Sequence, residues 1–282
     1  MKFKKSWILV LLLIGFFTMS LMVKGQNLYS HMVVCLEGQE YHLSYNNSHI
    51  HIDYEGRSYY FSTDKNKKII DMAIGDIDSN GNDNLLILEG ENLPYGQDFV
   101  IYDILTDSNG LELKEKYRNH MEVVRPWKIK ACELDQDQEL EIFIAVNKKT
   151  QYYEEIENRP FFFNFKNDML VKKWTGSKVR SSFTDVYFAD LNGNGRDEFI
   201  VVEESEEGGF VVAVYYWFGF GFILQGESEN YDRIELVGTE TIDKSTFLVV
   251  ETWNHKKKTK RKLEPSKEQT KNGVYLLKER EE

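Results

Sequence analysis

Short apolar runs recur along the chain at a fixed interval. Residues 85–88, 142–146 and 199–202 are continuous apolar runs, and runs of this length are typical of strands buried on both faces. Each run directly follows an acidic segment. These segments begin at residues 76, 133 and 190, and we call their constant spacing the repeat interval. More amphipathic segments, separated by turn residues, complete four strands per repeat.

The register of this repeat extends beyond the acidic segments. Tyr117 and Trp174 are one repeat interval apart, and so are Leu113 and Leu170. Four strands per repeat, the innermost being the most apolar, predict an all-β fold: a β-propeller of about five four-stranded blades. We expect the strand at 32–37 to complete the last blade and close the ring, because closure removes exposed strand edges. The expected repeats are residues 39–75, 76–132, 133–189, 190–238 and 239–282.

The acidic segments share a pattern of oxygen-bearing side chains. We call residues 76–84, 133–141 and 190–198 the first, second and third acidic loops. Their side chains at positions 1, 3, 5 and 9 are Asp76, Asp78, Asn80 and Asn84; Glu133, Asp135, Asp137 and Glu141; and Asp190, Asn192, Asn194 and Glu198. Alternate residues of a tight turn point inward, and a hard cation such as Ca²⁺ takes about six to eight oxygen ligands. These residues are therefore the candidate metal ligands, and we expect weakly bound Ca²⁺ in one to three loops.

The loops differ from one another and from an EF-hand. The second loop has four carboxylates but carries Gln138 where the others have glycine, so it gains charge and strains its turn. Ile87, Ile144 or Val201 stands where an EF-hand has a bidentate glutamate, and strand-forming residues follow, so an EF-hand is excluded. The alternative to calcium is an Asx-rich turn whose side chains cap their own backbone without metal.

The three loops, each with its apolar strand, resemble the FG-GAP/VCBS repeat family of secreted β-propellers. The resemblance covers roughly residues 70–205. It implies calcium in the loops and a role in adhesion or ligand binding, and some members are appendages of carbohydrate-active enzymes. The chain departs from the family: the Phe-Gly and Gly-Ala-Pro elements are not visible, one loop lacks its glycine, and fewer than seven repeats are present.

The N-terminal segment has the pattern of an export signal. Lys2, Lys4 and Lys5 precede an apolar run at residues 7–23, which is the order found in signal peptides. Residues 1–25 are therefore expected to be a signal peptide or, if uncleaved, an N-terminal membrane anchor. Residues 26–282 are then a single propeller domain outside the cell, either secreted or held at the cell surface.

Charge restricts the class of partner. The net charge is −11, and the expected leader holds lysines but no acids, so the body is more acidic still. Such a body repels nucleic acid phosphates, so no nucleic acid partner is expected. We expect an extracellular protein or a polysaccharide, with membrane contact only through residues 7–23 if the leader stays uncleaved.

Three functions remain open at this stage, and the third of them is a purely structural envelope component held by the leader. The first is a non-catalytic, calcium-stabilised binding or adhesion module, since no nucleophile elbow, zinc-protease helix or phosphate loop is present. The alternative is a carbohydrate-active enzyme of the glycoside hydrolase or lyase type, which needs carboxylates outside the acidic loops at the central channel. Cys35 and Cys132 can pair or remain free. The aromatic segments 160–165 and 214–222 are expected to be mostly core, and exposure of Trp127, Trp174, Trp217 or Trp253 would indicate a ligand surface.

Overall fold

The computed structural model describes residues 29–280, except 65, 109, 177, 244 and 270–272. Within these residues the chain is all-β, with twenty strands and a short 3-10 helix at Glu122–Val124. None of the described segments forms a helix long and apolar enough to cross a membrane. The expected leader at residues 1–25 lies outside the described residues.

Consecutive strands form four-stranded antiparallel units, as the repeat predicted. Unit 1 contains β1 (Ser30–Leu36), β2 (Gln39–Tyr45), β3 (His49–Tyr54) and β4 (Arg57–Ser62). Unit 2 contains β5 (Lys68–Gly75), β6 (Asn84–Gly90), β7 (Asp98–Asp107) and β8 (Gly110–His120). Unit 3 contains β9 (Pro126–Cys132), β10 (Glu141–Lys148), β11 (Glu157–Lys166) and β12 (Met169–Thr175).

The last two units are joined into one eight-stranded sheet. Unit 4 contains β13 (Phe183–Ala189), β14 (Glu198–Glu204), β15 (Phe210–Trp217) and β16 (Phe222–Ser228). Unit 5 contains β17 (Arg233–Ile242), β18 (Ser245–Asn254), β19 (Lys257–Gln269) and β20 (Tyr275–Glu279). A short parallel pairing between β16 and β20 links them. The end strands β13 and β17 also contact each other, so this sheet nearly closes on itself like a barrel.

The units are offset from the expected repeats. Each acidic loop connects the first and second strands of a single unit, and it folds the second strand back onto the first. The pairs Gly75–Asn84, Cys132–Glu141 and Ala189–Glu198 close the three loops. Three of the repeats drawn from the sequence start at an acidic loop, so the first strands of units 2, 3 and 4 are assigned to the preceding repeat.

The expected ring closure by the N-terminal strand is wrong. The strand β1 pairs along its length with β2 of the same unit. Glu37 and Gly38 connect these strands with φ angles of 51° and 76°, the left-handed conformation required by a two-residue hairpin turn. The sequence interpretation overlooked this turn.

Hydrophobic clusters lie between successive units. Four clusters join units 1 and 2, 2 and 3, 3 and 4, and 4 and 5. In the described part of the chain, none of these clusters combines unit 1 with unit 5. First strands of successive units are also neighbours, from β1 beside β5 to β13 beside β17. The apolar runs after the acidic loops are buried in β6, β10 and β14, as predicted.

Aromatic side chains fill the interface of units 3 and 4. Phe143, Phe162 and Phe199 are fully buried there, and Phe222 packs against Phe162. The aromatic segments are thus mostly core, except for the tip of the β15–β16 hairpin, where Phe218 is 54% exposed and Phe220 is 80% exposed. Both cysteines are free thiols.

Candidate functional site

The acidic loops use several predicted ligands to cap their own backbone. In the first loop, Asp76 accepts hydrogen bonds from the backbone N–H groups of Asn80 at 2.9 Å and Gly81 at 2.8 Å. In the third loop, Asp190 does the same with Asn194 at 3.0 Å and Gly195 at 2.7 Å. These bonds stabilise the turn, as the capping alternative requires.

The remaining cap bonds follow the same scheme. Glu133 accepts a hydrogen bond from the Gln136 N–H at 2.7 Å. The position-5 side chains each accept one from the backbone N–H two residues later: Asn80 at 2.8 Å, Asp137 at 2.9 Å and Asn194 at 2.8 Å. Self-capping therefore occurs in all three loops.

The position-9 side chains lie at the base of the loops, where the second strand begins. Asn84, Glu141 and Glu198 are buried. Each accepts a hydrogen bond from the position-2 backbone N–H, at 3.3, 2.9 and 2.8 Å respectively. The bond fixes one oxygen of each side chain, and in Glu141 and Glu198 the second carboxylate oxygen remains for another partner.

A lysine ammonium supplies that partner in the second loop. Lys173 Nζ lies 2.5 Å from Asp135 Oδ2 and also hydrogen bonds to Glu141 Oε1. Glu133, Asp135 and Glu141 bring oxygen atoms within 4.8 Å of one another, so this is the densest group of predicted ligands. Burial raises the pKa of Glu141, while the bond to Lys173 lowers it. The ammonium therefore neutralises part of the charge that would attract a metal ion.

The first loop has an equivalent lysine. Lys116 Nζ lies 2.5 Å from Asp78 Oδ2 and 3.1 Å from Asp103 Oδ1. Asp103 also accepts a hydrogen bond from the Asn84 amide at 2.9 Å. The lysine thus links the position-3 carboxylate to the base of the loop, as Lys173 does in unit 3.

Both lysines lie at the same structural position, a β-bulge in the fourth strand of the unit. Lys116 is skipped between the pairs Ile101–Tyr117 and Tyr102–Glu115, and Lys173 is skipped in the corresponding place in β12. In unit 4 the skipped residue of β16 is Gln225. A neutral amide therefore stands where the other two units carry an ammonium.

The third loop consequently has a buried carboxylate without a lysine. Glu198 is 3% exposed, and its second oxygen accepts a hydrogen bond from the Asn192 amide. Burial raises the pKa of Glu198 from its ordinary 4.5 to about 7, because desolvation disfavours the charged form. A cavity of about 150 Å³ lies beside the loop, and Asn192, Glu198, Gln225 and Trp217 are among its lining residues.

In the first and third loops, the position-8 aspartate forms a clamp between two units. The sequence interpretation missed these clamps. Asp83 accepts a hydrogen bond from the Cys35 N–H at 2.6 Å, and its own N–H donates to the Cys35 carbonyl at 2.9 Å. Asp197 makes the same two-way connection with Glu133, at 2.9 and 2.6 Å. The first and third loops thus tie unit 2 to unit 1 and unit 4 to unit 3.

The lysines were also missed, although the sequence carried a signal for them. Lys116 and Lys173 are one repeat interval apart and precede Tyr117 and Trp174, the pair that revealed the register. Gln225 follows Lys173 by less than the repeat interval, so the same spacing does not lead to it.

Charged residues of the first strands also recur at the repeat interval. Asp71, Lys128 and Asp185 are successively one interval apart, and each follows a bulge. Lys128 Nζ lies 2.9 Å from Asp185 Oδ1, and Asp71 Oδ2 accepts a hydrogen bond from the Ile129 N–H at 2.8 Å. These carboxylates are engaged by a lysine or by the backbone, and burial raises the pKa of Asp71.

Comparison with known proteins adds no assignment. No protein-family model matches the chain, and no curated protein matches it significantly.

Proposed function

We propose that this protein is an exported, non-catalytic binding module for an extracellular protein or polysaccharide, and that calcium bound at the third acidic loop stabilises it. The observation that carries the calcium part is the buried Glu198 carboxylate, which lines the same cavity as Gln225, the residue that stands where the sister loops have a lysine. On this proposal the five units form a propeller-like array of FG-GAP/VCBS type. Residues 1–25 direct export or anchor the body.

The electrostatic reasoning favours one calcium site over three. A buried carboxylate needs a compensating charge. Lys173 provides it for Glu141 in the second loop, and Lys116 pairs with the half-buried Asp78 in the first, so a divalent cation would have to displace these lysines. In the third loop the Glu198 carboxylate, the Asn192 amide oxygen and the Gln225 amide oxygen are oxygen donors of the kind that Ca²⁺ prefers.

A binding role is supported by the surface near the same loop. The antiparallel order of unit 4 places the third acidic loop and the β15–β16 hairpin at the same end of the sheet. That hairpin exposes Phe218 and Phe220, whose rings contact each other. Exposed aromatic side chains at a structured corner are typical of recognition surfaces.

Thermal unfolding of the purified full chain tests the calcium part. At a free Ca²⁺ concentration ten times Kd, binding contributes about 1.4 kcal/mol, which raises Tm by about 2–3 °C for a chain of this size. Glu198→Gln is expected to abolish the increase. Asp78→Asn is the matched control, because its loop already holds Lys116, and it should retain the full response to Ca²⁺. The calcium part is refuted if Ca²⁺ leaves Tm unchanged or if Glu198→Gln responds like the unmodified protein.

A further inference from the structure

A second cavity, of about 430 Å³, lies where the first strands of units 2, 3 and 4 are neighbours. Its volume is in the range of small-molecule sites. The lining residues are Ile70, Leu93, Pro94, Tyr95, Trp127, Asn158 and Thr184. Neither the acidic loops nor the charged residues of the first strands line this cavity.

Three of the lining residues occupy equivalent positions in units 2, 3 and 4. Ile70, Trp127 and Thr184 are the bulge residues of β5, β9 and β13, and they follow one another at the repeat interval. A bulge redirects its side chain away from the regular alternation of the strand. Each of the three units therefore directs one bulge residue into the same cavity, although the residue type differs in each.

The chemistry of the lining favours an uncharged ligand. The lining contains no Asp, Glu, Lys, Arg or His among the described residues, although the body is strongly acidic. Two aromatic rings, Tyr95 and Trp127, form part of the wall. The Arg125 guanidinium stacks on the Tyr95 ring at 4.2 Å, and the Trp127 ring packs against Phe183 at 6.1 Å. Both rings are therefore held in place by neighbouring groups.

Polar groups in the wall are held in place by hydrogen bonds and keep some hydrogen-bonding capacity for a ligand. The Asn158 amide donates to the Phe183 carbonyl at 2.7 Å and accepts from Asn147 at 2.9 Å, which leaves one N–H and one lone pair of the amide. The Thr184 side chain is exposed. The Trp127 indole N–H is buried without a hydrogen-bond partner among the described residues, and because no solvent reaches it, it is not available to a ligand in the cavity.

We propose that this cavity binds a neutral sugar residue of an uncharged polysaccharide. The apolar C–H face of a pyranose ring packs on an aromatic wall, and its hydroxyl groups pair with the fixed Asn158 amide and the Thr184 hydroxyl. The inference rests on the proposed function as a binding module and names the class of its ligand. Because no carboxylate lines the cavity, the bound sugar is held and not cleaved.

Titration calorimetry of the purified full chain with neutral oligosaccharides tests this proposal. The probes are cellohexaose, maltohexaose and mannohexaose, with a galacturonate hexamer and decaproline as alternative ligands. At least one neutral hexasaccharide is expected to bind. Thr184→Phe places a large ring in the cavity from an exposed strand position and should weaken binding at least about tenfold, a loss of about 1.4 kcal/mol. Trp127→Ala should have a similar effect.

Two further variants separate binding from folding. Trp127→Phe keeps an aromatic wall, so it should retain most of the affinity that Trp127→Ala loses, without lowering Tm. Trp253→Ala is the matched control, since Trp253 lies in unit 5 between Arg233 and Lys258, and it should leave affinity unchanged.

The proposal is overturned if no neutral hexasaccharide binds, if Thr184→Phe binds like the unmodified protein, or if only decaproline or the galacturonate hexamer binds at this cavity. Its failure is distinguishable from failure of the calcium proposal. Sugar binding without a calcium-dependent rise in Tm refutes only the calcium site, and the opposite result refutes only the sugar site.

Discussion

The second and third acidic loops have the same shape and different sources of positive charge. Both connect the first and second strands of a unit, and both end in a buried glutamate that accepts a hydrogen bond from the position-2 N–H. In the second loop Lys173 reaches Glu141 from the bulge of β12. In the third loop the same bulge position holds Gln225.

The difference shows that units with the same loop conformation can differ in how the charge of the buried glutamate is compensated. A lysine from within the unit compensates the buried carboxylate permanently, whereas a glutamine leaves it to be protonated or to bind a cation. The number of acidic residues in a loop is therefore a poor guide to metal binding. The second loop, which has the most carboxylates, is the one that already contains an ammonium.

The largest expected effect follows from removing the Lys173 ammonium from the second acidic loop. Lys173→Met leaves Glu141, which is 0% exposed, beside Asp135 without compensation. We expect a loss of about 3–5 kcal/mol in the free energy of unfolding, measured by urea denaturation. Added Ca²⁺ should recover part of this loss, because the vacated position now resembles that of the third loop.

Lys166→Met is the control for that variant. Lys166 pairs with Glu139 on the surface, so its removal should cost less than about 1 kcal/mol and create no response to Ca²⁺. If Lys173→Met is as stable as Lys166→Met, the ammonium does not compensate the second loop.

The pH dependence of the third loop comes next in size. The pKa of Glu198 is raised by burial to about 7, above its ordinary 4.5, so between these values the folded protein holds a proton that the unfolded chain has released. Without Ca²⁺, this stabilisation is complete below about pH 4.5 and is lost as the pH rises through about 7, with a change of about 3 kcal/mol. Denaturation of the unmodified protein and Glu198→Gln at a series of pH values measures it.

Calcium should reverse that trend, because it binds the ionised carboxylate. Apparent Ca²⁺ affinity is expected to increase as the pH rises through about 7, with release of a proton on binding. In Glu198→Gln the corresponding pH-dependent component of stability should be missing. Equal pH profiles for the two proteins would contradict the assignment of this component to Glu198.

A smaller effect is expected from placing the lysine in unit 4. Gln225→Lys positions an ammonium at the bulge beside Glu198 and should increase stability without Ca²⁺ by about 1–2 kcal/mol. The same substitution should remove the rise in Tm on adding Ca²⁺. Gln225→Met serves as the uncharged control. A Gln225→Lys protein that still responds fully to Ca²⁺ would separate the calcium site from Glu198.

Much of this structure could be predicted from the repeat. Its register indicated four-stranded units, and the continuous apolar runs correctly predicted the buried strands β6, β10 and β14. The register did not show where a unit begins, since a hairpin loop lies inside a unit and looks like a boundary in a linear sequence. The Glu37-Gly38 turn that overturns the expected closure was readable as a local signal.

The site was less predictable because its key contacts come from another strand. A list of oxygen side chains within each loop omits Lys116 and Lys173, which reach the loops across the sheet. Register alone could have found these two residues. It could not have found Gln225, because unit 4 is shorter between its loop and its fourth strand, and only the pairing of β15 with β16 identifies the equivalent bulge.

The most direct measurement of the central claim is a crystal structure of the full chain grown with Ca²⁺, with the ion identified by anomalous scattering. We predict one Ca²⁺ in the third acidic loop, bound by Glu198, with Lys116 and Lys173 remaining in the first and second loops. An ion in the first or second loop with its lysine displaced, or a third loop without an ion, would contradict the claim.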